Sequence, residues 1–200
     1  MIDTETTGRT PDVHRIVEVA LVCGIRGELT EVATWLVNPE IPIPADSSAV
    51  HGIRDEDVAS APRFSEIAPL ILQHLRSALP AAYNAQFDHA FLVAEFTRAG
   101  FEAASLPECL RKSVEWIDPL VWARELQRED GSKRLSEVAN RLGVELENAH
   151  RATADAEAAL RIMYLFSKDP RVPTSYGALI QEQRRLADAQ EQQFKLWRRK

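Results

Sequence analysis

The run Arg15-Ile16-Val17-Glu18-Val19-Ala20-Leu21-Val22-Cys23 decides the fold class. It is rich in β-branched residues and reads as a strand. Gly24 to Gly27 can turn the chain, and Glu31–Val37 (E-V-A-T-W-L-V) alternates apolar and polar positions like an antiparallel partner. Upstream, Met1-Ile2 lead into Asp3-Thr4-Glu5-Thr6-Thr7-Gly8, a further strand ending in a turn. Asn38-Pro39 closes this meander, and Pro42 and Pro44 keep the next stretch extended.

Past the meander the periodicity changes. Ser65–Leu79 carries Ile67, Leu70, Ile71, Leu72, Leu75 and Leu79 at helical spacing before Pro80. Ala81–Asn84 reads as a short strand followed by a helix from Asp88 to Ala99, with Gly100 as its left-handed stop. Val114–Asp118 reads as another short strand. Pro119–Leu126, Ser136–Leu142 (with Ser136 as N-cap and Gly143 beyond) and Ala149–Phe166 read as helices. Strands first, then strands alternating with helices, imply an α/β three-layer fold with a mixed central sheet flanked by helices. Lys168–Pro173 is the linker candidate, and Ser175–Lys200 is a Gln-rich segment of helical propensity.

The 200 residues, 45% hydrophobic and 27% charged, exclude a disordered chain, a collagen and a disulfide scaffold. No apolar run reaches the roughly 20 residues of a membrane span, no signal-peptide pattern opens the sequence, and Cys23 and Cys109 lie in no metal-binding or redox motif. Two reduced thiols and no leader imply a cytoplasmic protein without membrane contact. The net charge of −6 argues against a simple electrostatic binder of nucleic acid, unless the acids gather where cations neutralise them.

Three segments carry chemistry-bearing residues. Asp3 and Glu5, two apart, share one face of a strand, and side-by-side carboxylates repel unless a cation joins them. The alternative is a solvated edge. Asp88, in Asn84-Ala85-Gln86-Phe87-Asp88, stands at a strand-to-helix junction and on its own reads as a helix cap. His150 lies five residues before Asp155 in His150-Arg151-Ala152-Thr153-Ala154-Asp155-Ala156, where it is either a surface histidine or a general base.

In this order, Ile2-Asp3-Thr4-Glu5-Thr6-Thr7-Gly8, Asn84–Asp88 and His150–Ala156 resemble the three motifs of the DEDDh-type 3′–5′ exonucleases, the DnaQ-like family that includes the proofreading subunit of bacterial replicative polymerase. Val50-His51-Gly52-Ile53 and Ile117-Asp118-Pro119-Leu120 support the match. The resemblance covers about residues 1–168 and implies a ribonuclease H-like fold, with 169–200 as linker and helical tail. The family's first strand has more apolar residues than Met1 and Ile2 ahead of the aspartate, which implies either a start lying upstream or a short first strand wanting partners.

The resemblance implies hydrolysis from the 3′ end to nucleoside 5′-monophosphates, on DNA in proofreading or repair. An RNA-trimming enzyme or a catalytically silent nucleic-acid-binding module are the alternatives. It implies two divalent cations, Mg²⁺ or Mn²⁺, held by Asp3, Glu5, Asp88 and Asp155, with His150 as general base. Thr6, Thr7 and Gly8 would approach the terminal nucleotide, and His51, Ile53 and Phe87 its base, with a core position as the alternative for Ile53 and Phe87; Asp118 is left a structural role. The implied partner is a single-stranded 3′ end of DNA or RNA. Gln193-Phe194-Lys195-Leu196-Trp197 resembles peptides that bind the sliding clamp, and so suggests a clamp or DNA polymerase partner; a tail helix packed back on the domain is the alternative.

Overall fold

The computed structural model describes residues 1–76, 78–102, 104–111, 114–146 and 149–197. Three strands, β1 (Ile2–Thr6), β2 (Ile16–Ile25) and β3 (Glu28–Leu36), form an antiparallel meander in the order β1-β2-β3. Beyond β1 the sheet continues as single-residue parallel bridges, Ile2 to Ala82 and Ala81 to Ile117, so the sheet is mixed. The strands expected over Ala81–Asn84 and Val114–Asp118 are therefore only bridge-length. Asn84 leaves the extended region with φ 71°, a left-handed conformation that Asn tolerates, and Pro119 begins a helix one residue after Asp118. β1 is short, but each of its five residues has a register partner on β2, so it does not want for pairing.

Eight α-helices are described: α1 (Ala45–His51), α2 (Asp55–Val58), α3 (Phe64–Leu75), α4 (Ala85–Arg98), α5 (Pro119–Leu126), α6 (Leu135–Leu142), α7 (Ala152–Phe166) and α8 (Tyr176–Trp197). α3 ends at Leu75, short of the expected Leu79. α4 begins at Ala85, so Asp88 lies inside its first turn and does not cap it. Arg134, not Ser136, is the N-cap of α6. α7 starts at Ala152, later than Ala149, because His150 is left-handed and Arg151 extended.

β2 explains why the molecule has three layers. Its first seven residues are buried, as in a strand covered on both faces. Val19 and Leu21 join one core with α3 and α4, where Phe64 and Phe96 meet edge-on at 5.1 Å. Ala20 and Val22 join the second core with α5, α6, α7 and α8. Truncating one such buried phenylalanine to alanine costs about 3–5 kcal/mol. α7 lies so close to β2 that a Cβ on Gly24 would collide with the Tyr164 hydroxyl and Leu160.

The tail is helical through Trp197. Leu179, Gln183 and Leu186 are buried against the domain, and Phe194 lies 5.2 Å beneath the Arg124 guanidinium. Leu196 and Trp197 are exposed. The basic end, Arg198-Arg199-Lys200, lies outside the described residues.

Candidate active site

The β1–β2 register decides where the first two acids point. Asp3 pairs with Ala20 and Glu5 with Glu18, so both share the face that α7 covers. From α7, Asp155 completes the group: one ligand atom from each of Asp3, Glu5 and Asp155 lies within 4.8 Å of the others. All three are half-buried. A solvated edge is thus not their setting, because β1 is covered and its acids converge.

Asp88 reaches β1 from the other layer. Thr4 pairs with Val19 on the α4 side, and its hydroxyl donates to Asp88 Oδ1 at 2.8 Å. Asp88 is 3% exposed and stands outside the three-acid group, close enough to act on it electrostatically. Burial, then the charges of Asp88, Glu5, Asp155 and Glu18, raise the Asp3 carboxyl well above its ordinary range. Burial, with Asp155 and Glu18 next, pushes Glu5 up to about 8. Asp88 is raised to about 7 by burial, against the opposing Thr4 hydrogen bond. Burial also raises Asp155. Four carboxyl groups that resist ionisation together are a set that a divalent cation would relieve, and all-oxygen donors suit Mg²⁺ or Mn²⁺.

The start of α7 is anchored by a residue that sequence reasoning passed over. Glu18, 3% exposed, accepts from Arg151 Nη2 at 2.6 Å, from Arg151 Nε at 3.2 Å and from the Ala152 amide at 3.0 Å. The signal was legible: Glu18 is the one acid inside an otherwise apolar strand, and a buried acid needs a partner. Just ahead, exposed His150 takes φ 68°, and its amide donates to the Asp155 carboxylate at 3.3 Å. A non-glycine residue in that conformation costs roughly 1–2 kcal/mol. His150 and Asp155 are thus tied together within one turn.

Next to the acids, Thr6, Thr7, Gly8, His51 and Phe87 line one cleft of about 770 Å³ with Arg9, His14 and Asn84. At Gly8 the chain passes so close to the His14 ring that a Cβ there would require that ring to move. His51 is buried, its Nδ1 accepts from the Ile53 amide at 3.1 Å, and desolvation lowers its pKa, which keeps it neutral. Ile53 is a correction: at 3% exposure it packs with Val17, Ile43 and Val58, so its apolar side chain belongs to a small core and not to the cleft. Asp118 has the expected structural role, accepting from the amides of Asn84, Ala85 and Leu120 at 2.9, 3.0 and 2.9 Å.

Residues 1–163 match the RNase_T family model, described as Exonuclease. The chain is 29% identical over 169 residues to the PolC-type DNA polymerase III of Streptococcus pneumoniae, which covers 84% of this chain and 11% of that protein. It is 32% identical over 158 residues to the 3′-5′ exonuclease DinG of Bacillus subtilis, 78% of this chain and 16% of that protein. The chain therefore spans a small fraction of these relatives. Among solved structures, exonuclease X in complex with 5′ overhanging duplex DNA superposes with TM-score 0.65 at 25% identity, covering 86% of this chain and 92% of that one. Exonuclease I of E. coli has the same fold, with TM-score 0.71 at 21% identity over 85% of this chain and 40% of that one.

Proposed function

The chain belongs to the RNase_T exonuclease family, and from that premise we propose that it is a metal-dependent 3′–5′ exonuclease that shortens DNA from its 3′ end and serves proofreading or repair. The observation that carries this reading is the convergence of Asp3, Glu5 and Asp155 within 4.8 Å. The polymerase relative and the duplex-DNA complex of exonuclease X support DNA as the substrate.

Asp3, Glu5 and Asp155 would hold one divalent cation, and Asp3 with Asp88 a second, both Mg²⁺ or Mn²⁺. When bound, the two cations supply positive charge against the attacking and leaving oxygens of the phosphodiester. His150, exposed beside Asp155, takes the proton of the attacking water. Thr6, Thr7 and Gly8 let the backbone approach the terminal nucleotide, and His51 and Phe87 shape the pocket for its base. The products are a strand one nucleotide shorter, ending in a 3′-hydroxyl, and a nucleoside 5′-monophosphate.

Residues 1–168 form the exonuclease domain and 169–200 its linker and tail, in a cytoplasmic protein that acts on a single-stranded 3′ end and works with any polymerase partner in trans. Exposed Leu196 and Trp197 offer apolar anchors for a sliding clamp or polymerase. Clamp retention that survives the Leu196→Ala, Trp197→Ala double change would remove that partner.

Matched 5′- and 3′-labelled single-stranded DNA, duplex DNA and single-stranded RNA, each with Mg²⁺ or EDTA, test the whole reading. The 3′ label should leave as mononucleotide, the 5′ label should give a descending ladder, and EDTA should stop both. Internal cleavage, or hydrolysis in EDTA, would overturn it.

A further inference from the structure

α8 lies beyond the family-matched residues 1–163, yet one of its side chains completes the sheet. Among the described residues, the segment around Ile117 forms the outermost bridge. Its inward groups are paired: the Ile117 amide donates to Pro80 O at 3.0 Å, and Ile117 O accepts from the Ala82 amide at 3.0 Å. The flanking groups of Trp116 and Asp118 point the other way, as alternate residues of a strand must. Gln183 takes both. Its Nε2 donates to Trp116 O at 2.8 Å, and its Oε1 accepts from the Asp118 amide at 2.8 Å. The amide side chain thus stands in for a missing neighbour strand, and at 5% exposure it does so out of water.

The residue so fixed has a second task. The Asp118 carboxylate accepts from the Asn84 and Ala85 amides, where Asn84 turns left-handed to start α4. Asp88 follows in the first turn of that helix, its carboxylate at the Thr4 hydroxyl of β1. We infer that Gln183 is a positioning residue of the nuclease site, acting through the sheet edge and Asp118 on the helix start that sets Asp88. The inference rests on the metal-site reading of Asp88. Packing alone does not call for glutamine here, because Leu179 and Leu186 already bury the apolar side of α8. Only a side chain with both donor and acceptor satisfies the two edge groups, and leaving such groups buried and unpaired loosens what they hold.

The test compares Gln183→Leu, Gln183→Glu, Leu179→Ala and Asp88→Asn in the full chain. The readouts are melting temperature, kcat and KM on a 5′-labelled oligonucleotide, and Mn²⁺ binding by electron paramagnetic resonance without substrate. Gln183→Leu should lower kcat by about tenfold or more and weaken Mn²⁺ binding while KM moves little, the pattern of a misplaced group. Gln183→Glu keeps the acceptor and loses the donor, so it should fall between parent and Gln183→Leu, and it decides alone if the leucine variant does not fold. Leu179→Ala should lower the melting temperature at least as far with kcat and Mn²⁺ binding near parental. Gln183 variants that melt lower but keep parental kcat and Mn²⁺ binding, while Asp88→Asn is inactive, would overturn the positioning role alone. Parental activity in Asp88→Asn would overturn both this inference and the metal-site reading beneath it.

Discussion

Arg151 grips Glu18 with both arms of its guanidinium, Nη2 at 2.6 Å and Nε at 3.2 Å, and so pins the first residue before α7 to the strand that lies against β1. The consequence is positional. Glu18 pairs in register with Glu5, while Arg151 sits between His150 and the helix that carries Asp155. Arg151→Ala leaves the Glu18 carboxylate buried with only the Ala152 amide. Breaking a fully buried pair costs about 3–5 kcal/mol, but the Arg151 side chain is 48% exposed, which reduces the expected loss to about 1–2 kcal/mol. Adding Glu18→Gln should recover part of it, and a double-mutant cycle of urea melts measures the coupling. Additive single effects would mean the pair does not act as a unit.

Asp3→Asn, Asp88→Asn and Asp155→Asn should each nearly abolish hydrolysis and leave the metal-free fold as stable as the parent or more so. Their carboxyl groups are all raised by burial, and those around Asp3 repel one another, so neutralising one relieves the rest. Melting temperature in EDTA and turnover in Mg²⁺ should therefore diverge. Losses within about tenfold for all three, ~1.4 kcal/mol of barrier, would place the metal elsewhere.

The parts of this site legible in sequence are those set by periodicity. The two-residue spacing of Asp3 and Glu5 fixes a shared face, and the apolar run of β2 fixes a strand covered on both sides. Contacts between layers are not periodic and had to be seen. The Thr4 hydroxyl on Asp88 joins residues 84 apart, and Glu18 meets Arg151 across 133. Backbone conformation misled the reading at two helix starts. Left-handed Asn84 moved one start ahead of Asp88, and left-handed His150 delayed the other. Ile53 was placed at the terminal base by the family resemblance with a core position as its alternative, and its side chain packs in a small core with Val17.

The metal-free protein should lose stability as pH rises from about 5 to about 8. The sign follows from the direction of the shifts. Glu5 ionises near 4.5 in an unfolded chain and near 8 in the fold, and Asp88 moves from 3.8 to about 7. Between those values the native state holds protons that the unfolded state has released, so each step up in pH favours unfolding. Mn²⁺ or Mg²⁺ should flatten or reverse the slope, because the bound ion favours carboxylates. Melting temperatures in EDTA from pH 5 to 8, for the parent and Glu5→Gln, isolate the effect. A Glu5→Gln slope equal to the parental one would show that Glu5 is not its source.

His150→Ala should reduce turnover by roughly 10²–10⁴-fold with Mn²⁺ binding unchanged, the behaviour of a lost general base and not of a lost ligand. The backbone adds an independent handle. His150 has φ 68°, which alanine tolerates no better and glycine adopts freely. His150→Gly should therefore be more stable than His150→Ala by roughly 1 kcal/mol while being equally inactive. Its backbone amide can still donate to Asp155, so the helix start and the three-acid group should persist. Thermal melts and Mn²⁺ titrations of the two variants separate conformation from chemistry. A glycine variant that regained turnover would assign the loss in His150→Ala to backbone strain, and a parallel fall in Mn²⁺ affinity in both would make His150 a ligand.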